Sequence, residues 1–220
     1  MHVIGMGDFE GYELTFTFTI EKKDQATTET RPSTTETKPE KKKLTAVSGI
    51  TDAVYTGKKI TRKIVVRSGK TVLKEKKDYL VSYSNNKDCG IATVKIVGTG
   101  AYQGTITKTF KILPKKASIL KLLAAKRSAI VQFFKNDGNV TGYQISYSYN
   151  KKFKGQKYKE LKKVKYKNIK IKRKKYLYAS NTIKGLKSKK YVYVRIRAYK
   201  QVGKTKIYGS WSSSKKIKIK

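Results

Sequence analysis

The 220-residue chain has one cysteine, one histidine and three prolines, and each scarcity closes off a class of function. Cys89 alone cannot form an internal disulfide, and without a Cys/His cluster there is no metal-ligand spacing. In "NKDCGIATV" it reads as a small buried residue. His2 alone, at the chain start, supplies no Ser/His/Asp, Cys/His or His-metal arrangement. The longest apolar run, "ILKLLAA" at 119–125, is interrupted by Lys121. It falls far short of the roughly 20 residues that span a bilayer, so no membrane insertion is expected.

Acid is the other scarcity. Against 53 Lys and Arg there are 14 Asp and Glu, a net charge of +39. Residues 114–220 carry 33 of those cations and only two acids, Asp137 and Glu160, so that half holds +31 and residues 1–113 hold +8. A field of this size keeps a chain soluble and draws polyanions to it, but does not select a fold.

What is present is alternation. With 38% hydrophobic and 11% aromatic residues the chain can bury a core, and its apolar residues recur with period two, the mark of half-buried strands. Ile64 and Val66, then Tyr79, Val81 and Tyr83, then Ala92, Val94 and Ile96, then Ile106, Phe110 and Ile112 take one face each. The second half repeats the style in Ala129, Val131 and Phe133, in Tyr143, Ile145 and Tyr147, in Val192, Val194, Ile196 and Ala198, and in Ile217 and Ile219. In the run "ELKKVKYKNIKIKRKKYLY" the parity changes between Val164, Tyr166 and Ile169, Ile171, which predicts a bulge or break near Asn168. Short strands with Gly and Asn turns and no helical period predict an all-β chain of two small antiparallel sandwiches, divided at Pro114.

Residues 22–43 hold one small apolar residue among Thr, Glu, Lys and two of the prolines, and read as a solvated linker. Before them, "IGMGDFEGYELTFTFTI" echoes "VGTGAYQGTITKTFKI" at 97–112, with Gly5, Gly7 and Gly11 matching Gly98, Gly100 and Gly104. Residues 1–21 are therefore expected to be the end of a preceding repeat in a tandem array, and the chain a fragment of a longer protein.

The stretch "YTGKKIT…KKDYLVSYSNNKDCGIATVKIVGTGAYQGTITKTFKI" resembles the immunoglobulin-like repeats of Gram-positive bacterial surface proteins over 44–113. Residues 114–220 resemble a fibronectin type III domain, with "TGYQISYS" as its strand C, "YVYVRIRAYK" as strand F and "YGSWSSSKKIKIK" as strand G. Two positions depart from that pattern. Phe133 or Phe134 stands for the strand B tryptophan, and Val192 falls where the corner tyrosine sits. The resemblance implies a non-catalytic spacer and adhesion region of a secreted or wall-associated protein, made of monomeric modules in an array. Its partners would be cell-wall polymer, glycan, or a host or neighbouring surface protein.

For chemistry the sequence offers little. Asp52, Asp78, Asp88, Asp137 and Glu160 sit in turns and edges where acids serve the backbone, so no enzyme activity, metal or cofactor is expected. Two candidate ligand surfaces remain. Tyr191, Tyr193, Arg195, Arg197 and Tyr199 share the outer side of strand F and, with Trp211, could form either a stabilising cation–π ladder or a platform on which sugar rings stack. Lys163, Lys165, Lys167, Lys170, Lys172 and Arg173 are the candidate polyanion contacts, with nucleic acid bound only unspecifically since no nucleic-acid motif accompanies them. Competing readings are a dedicated nucleic-acid-binding module and a wall- or carbohydrate-contacting accessory region of a larger extracellular enzyme.

Overall fold

The computed structural model describes residues 2–4, 13–15 and 39–220. It is all-β, with no helix among the described residues. The chain divides into two compact units, Met1–Pro39 and Glu40–Lys220.

In the first unit, β1 (His2–Ile4) and β2 (Glu13–Thr15) pair antiparallel, His2 with Thr15, Val3 with Leu14 and Ile4 with Glu13. This is the register of Lys95 with Thr107, Ile96 with Ile106 and Val97 with Thr105 in the later copy, provided Tyr12 is the one extra residue. The expected linker at 22–38 and the glycine turn of the first copy lie outside the described residues.

The second unit opens with β3 (Lys42–Lys43), β4 (Ala46–Ser48), β5 (Ala53–Val54), β6 (Val65–Ser68) and β7 (Thr71–Val72). β8 (Tyr79–Ser84), β9 (Gly90–Gly98), β10 (Tyr102–Gln103) and β11 (Thr105–Leu113) follow. A three-stranded sheet, β4-β6-β7, lies with a four-stranded one, β5-β11-β9-β8. Val66 and Leu73 from one side and Tyr79, Val94 and Ile96 from the other share a buried cluster, with Ile60, Ala92, Phe110 and Ile112 beside it. Lys42 and Lys43, expected within the 22–43 linker, are paired instead. β3 runs parallel to β10, and the Lys41 and Lys43 carbonyls accept from the Gln103 amide and the Ser68 hydroxyl. Backbone pairing, which side-chain composition does not report, carries these lysines into the fold.

The remainder is built from β12 (Ile119–Ala125), β13 (Ser128–Phe134), β14 (Gly142–Ser148), β15 (Lys157–Leu161) and β16 (Lys167–Ile171). β17 (Lys174–Lys184), β18 (Tyr191–Val202), β19 (Thr205–Tyr208) and β20 (Lys215–Lys218) complete it. One sheet is ordered β12-β13-β17-β16; the other is β15-β14-β18-β19, with β20 also on β18. Both contribute to one core: Ala129, Val131, Phe133, Ala179 and Ile183 from the first, Tyr143, Ile145, Val192, Val194, Ile196 and Ala198 from the second.

Of the two adjacent phenylalanines, Phe133 is the fully buried one, with its ring 4.7 Å from that of Tyr143. Val192 is fully buried as well. Tyr143 supplies an anchor, its hydroxyl accepting from the Asn136 N–H at 2.6 Å and from the Tyr166 hydroxyl at 3.2 Å. The expected break near Asn168 falls earlier, at 162–166, where the chain leaves β15 of one sheet for β16 of the other. Val164 and Tyr166 pack on the core from that connection, so the parity change records a change of sheet rather than a bulge.

Replacing Phe133 by Ala should lower the unfolding free energy by about 3–5 kcal/mol, the usual cost of emptying a fully packed ring site. Urea titration checks this, and a loss under about 1 kcal/mol would place Phe133 outside the load on the core.

Candidate ligand surface

The outer face of the β15-β14-β18-β19 sheet is where alternation sends Arg195 and Arg197, and both guanidinium groups are enclosed by rings. The Arg195 guanidinium carbon lies 4.1 Å from the Phe153 ring centre and 4.6 Å from that of Trp211. For Arg197 the distances are 3.7 Å to Tyr208 and 4.3 Å to Trp211. The ladder thus runs Phe153, Arg195, Trp211, Arg197, Tyr208, and Tyr158 stacks on Trp211 at 6.4 Å with planes 23° apart. Neighbouring strands hold the edges. Gln144 Oε1 accepts from Nε and Nη2 of Arg197, while Gln156 Oε1 accepts from Arg195 Nη2 and from the Ser146 hydroxyl. Burial pulls the Arg197 guanidinium below its ordinary value.

This geometry favours the stabilising ladder over the sugar platform. Stacking needs an open ring face, and the faces toward the arginines are covered. Tyr191 does stay exposed, with Lys216 Nζ 5.3 Å from its ring, and Tyr193 is half-buried opposite Lys216. Tyr199 is a correction: it is 1% exposed and offers nothing to a ligand. It sits opposite Gly142, where an added Cβ would stand 2.7 Å from the Tyr199 hydroxyl. The ring fills the space the glycine leaves, a pairing that alternation along one strand cannot reveal. Tyr208 and Gln144 were not legible as ladder members because register across strands brings them in, and Phe153 and Gln156 because the 149–156 connection between β14 and β15 folds them over the sheet.

No family model matches this chain. None of the curated proteins matches it either. Among solved structures it is similar to a myokine structure at 16% identity, over 49% of this chain and 95% of that one, with a TM-score of 0.32. It is similar to a β-1,2-glucanase from Parabacteroides distasonis at 12% identity, over 58% of this chain and 18% of that one, TM-score 0.33. Rst D1-D2 matches at 10% identity, over 80% of this chain and 97% of that one, TM-score 0.33. Scores of this size assign no activity to the chain.

Three of the acids, Asp52, Asp78 and Glu160, are engaged in structural bonds. Asp52 accepts from the Lys111 N–H and Asp78 from the Lys74 N–H, each at 2.8 Å. Glu160 accepts from Lys206 Nζ at 2.5 Å and from the Tyr199 hydroxyl at 3.0 Å. The hydrogen bond from Lys206 holds the Glu160 carboxyl below its ordinary value. Burial, then the bond to Glu160, pushes the Tyr199 hydroxyl up to about 12.

The polyanion candidates lie together but on different elements. Lys163 and Lys165 are on the 162–166 connection, Lys167 and Lys170 on β16, and Lys172 and Arg173 form the turn into β17; all are exposed. Near them, sequence reasoning missed Lys135, whose ammonium lies 5.8 Å from the Tyr166 ring centre.

Two measurements test this assignment. Trp211→Ala should cost about 1–3 kcal/mol in urea titration, since it unsandwiches two partly desolvated guanidinium groups; a neutral result would return Trp211 to the ligand platform. Because the folded Tyr199 hydroxyl holds its proton more tightly than in the unfolded chain, its contribution is whole below about pH 10 and is lost as pH rises toward 12. The stability advantage of the wild type over Tyr199→Phe should stay constant to about pH 10 and shrink above it.

Proposed function

We propose that this chain is a non-catalytic spacer and adhesion segment of a secreted or wall-associated bacterial surface protein, an Ig-like module followed by a fibronectin type III-like one. The observation that carries the reading is the packed joint between residues 44–113 and 114–220. The Cys89 N–H donates to the Gly138 carbonyl at 3.0 Å. Gly138 has φ +87°, and a Cβ there would stand 2.7 Å from Cys89 Sγ and 2.8 Å from the Tyr55 ring. Lys115 Nζ lies 5.4 Å from the centre of that same ring. A positive φ and zero clearance both require glycine, so the joint is specified rather than incidental. A spacer needs such a joint to transmit length. The engagement of Asp52, Asp78 and Glu160 in structural hydrogen bonds supports the non-catalytic half of the reading.

Residual dipolar couplings from 44–113 and from 114–220 should fit a single alignment tensor, and two independent tensors would defeat the rigid spacer. Burial leaves Cys89 3% exposed and pushes its thiol up to about 11, so iodoacetamide at pH 8 should leave it unmodified. Gly138→Leu should split the tensors and expose Cys89 to alkylation while both modules keep their own dispersed spectra.

A further inference from the structure

The β16–β17 hairpin extends past its sheet. β17 pairs with β13 only from Lys184 opposite Ser128 to Tyr178 opposite Phe134, and one more bond runs from the Lys135 N–H to the Leu177 carbonyl. From there to the tip, β16 and β17 pair only with each other. Half of this projecting part, 168–177, is cation: Lys170, Lys172, Arg173, Lys174 and Lys175.

Two features of this finger work against its own folding. Ile171 opposite Lys174 closes a two-residue turn in which Lys172 has φ 45° and Arg173 φ 67°. Hairpin turns with two left-handed residues favour Asn-Gly, and long side chains are strained there. Lys170 also lies directly opposite Lys175, a like-charge pair of the kind that weakens a ladder. Among the described residues no carboxylate forms an ion pair with the finger's cations; the ion pair there is Glu160 with Lys206, on β15 and β19 of the other sheet. Grooves of about 340 Å³ and 300 Å³ meet at the finger's base, sharing Asn168 and Lys175, with Lys135 and Asp137 on the wall of the first and Lys170 in the second. Strain and repulsion retained at an exposed tip mark a site whose partner supplies the missing charge.

We propose that this hairpin is the docking finger for a linear polymer of phosphodiesters on a flexible backbone. Five cations on an overhanging ribbon can follow a chain of phosphates. Lysine is a compact point charge suited to phosphate, whereas base recognition relies on the forked donors of Arg and the amides of Asn and Gln. The overhang from Asn168 to Leu177 has one Arg, at the turn, and one amide, Asn168 at its base, so a fork of base-reading donors is lacking at the tip and duplex nucleic acid is the poorer fit. The proposal deepens the adhesion half of the function above, on which it rests for the setting in which such a polymer is met; it does not depend on the stiffness of the joint.

The experiment uses the full chain and fluorescence anisotropy of a labelled poly(glycerol phosphate) of about ten repeats across a salt series. A DNA duplex of equal phosphate number and poly-glutamate serve as competitors. Lys172→Asn with Arg173→Gly should raise the melting temperature by roughly 4 °C, because the turn becomes the preferred one. It should also weaken binding about tenfold at low salt and flatten the salt slope by about 1.4, from two lost contacts at roughly 0.7 each. Lys170→Ser with Lys175→Ser should weaken binding comparably. Lys189→Gly, which removes a cation outside the finger at a position whose φ of 62° glycine accommodates, should leave affinity within about twofold. Equal weakening by Lys189→Gly, unchanged affinity in both finger variants, or tighter binding of the duplex or of poly-glutamate than of the phosphate polymer would overturn the proposal. Because every arm reads affinity, its failure is separable from that of the rigid spacer, which is read by alignment tensors.

Discussion

The burial of Val192, Val194, Ile196 and Ala198 along one side of β18 is the constraint around which residues 114–220 are arranged. All four are completely enclosed, and β18 is the strand on which β14, β19 and β20 all pair. Fixing the inner side of this strand fixes the outer side, since successive residues point to opposite faces. Arg195 and Arg197 then have only one place to go, and the rings of Phe153, Trp211 and Tyr208 meet them there. The far end of the same strand, at Lys200 to Val202, lines a groove of about 560 Å³ with Asn85 to Ile91 of the neighbouring module. Core, ladder and joint are thus three consequences of one buried face.

This arrangement answers how so basic a half folds at all. Arg195 and Arg197, planar and weakly hydrated, are taken into the sheet face between rings and beside the Gln144 and Gln156 side-chain carbonyls. Arg127, Arg173 and most of the lysines stay exposed, where mutual repulsion is screened over about 10 Å at moderate salt. Lys206 is drawn instead to Glu160 and Tyr199, and Lys159 in β15 donates its Nζ to the Thr182 carbonyl.

Much of the fold was legible because alternation is a one-strand property. Ala92, Val94 and Ile96, or Ala129, Val131 and Phe133, can be placed from their own run, and all six are buried. What involved two strands was not legible. Tyr199 has the parity of a surface residue and is buried because its partner is Gly142. The shift between Tyr166 and Ile169 has the parity of a bulge and is a change of sheet. The joint was invisible for the same reason. Gly138 in "NDGNV" looks like an ordinary turn glycine, and only the approach of Cys89 and Tyr55 from 50 to 80 residues away gives its missing side chain a meaning. The charge of the candidate polyanion site was plain from composition, but its projection beyond the sheet depends on where pairing with β13 stops.

The two properties assigned to the chain rest on forces that respond differently to solvent. Stiffness at Gly138 comes from close packing and a backbone hydrogen bond, buried with Cys89, which salt scarcely touches. The polymer contact proposed for the β16–β17 tip would come from exposed cations and released counterions, which salt weakens steeply. Ionic strength can therefore loosen what the segment holds without loosening the segment. The opposite separation holds for a substitution at Gly138, which frees the joint and leaves the finger's charge unchanged. A polyanion-binding module alone has no use for glycine at a strained, filled contact between sandwiches, and a bare spacer has none for Lys172 and Arg173 at left-handed turn positions. Gly138 and the Lys172–Arg173 turn thus bear on different parts of the proposed role, the first on the joint and the second on the contact.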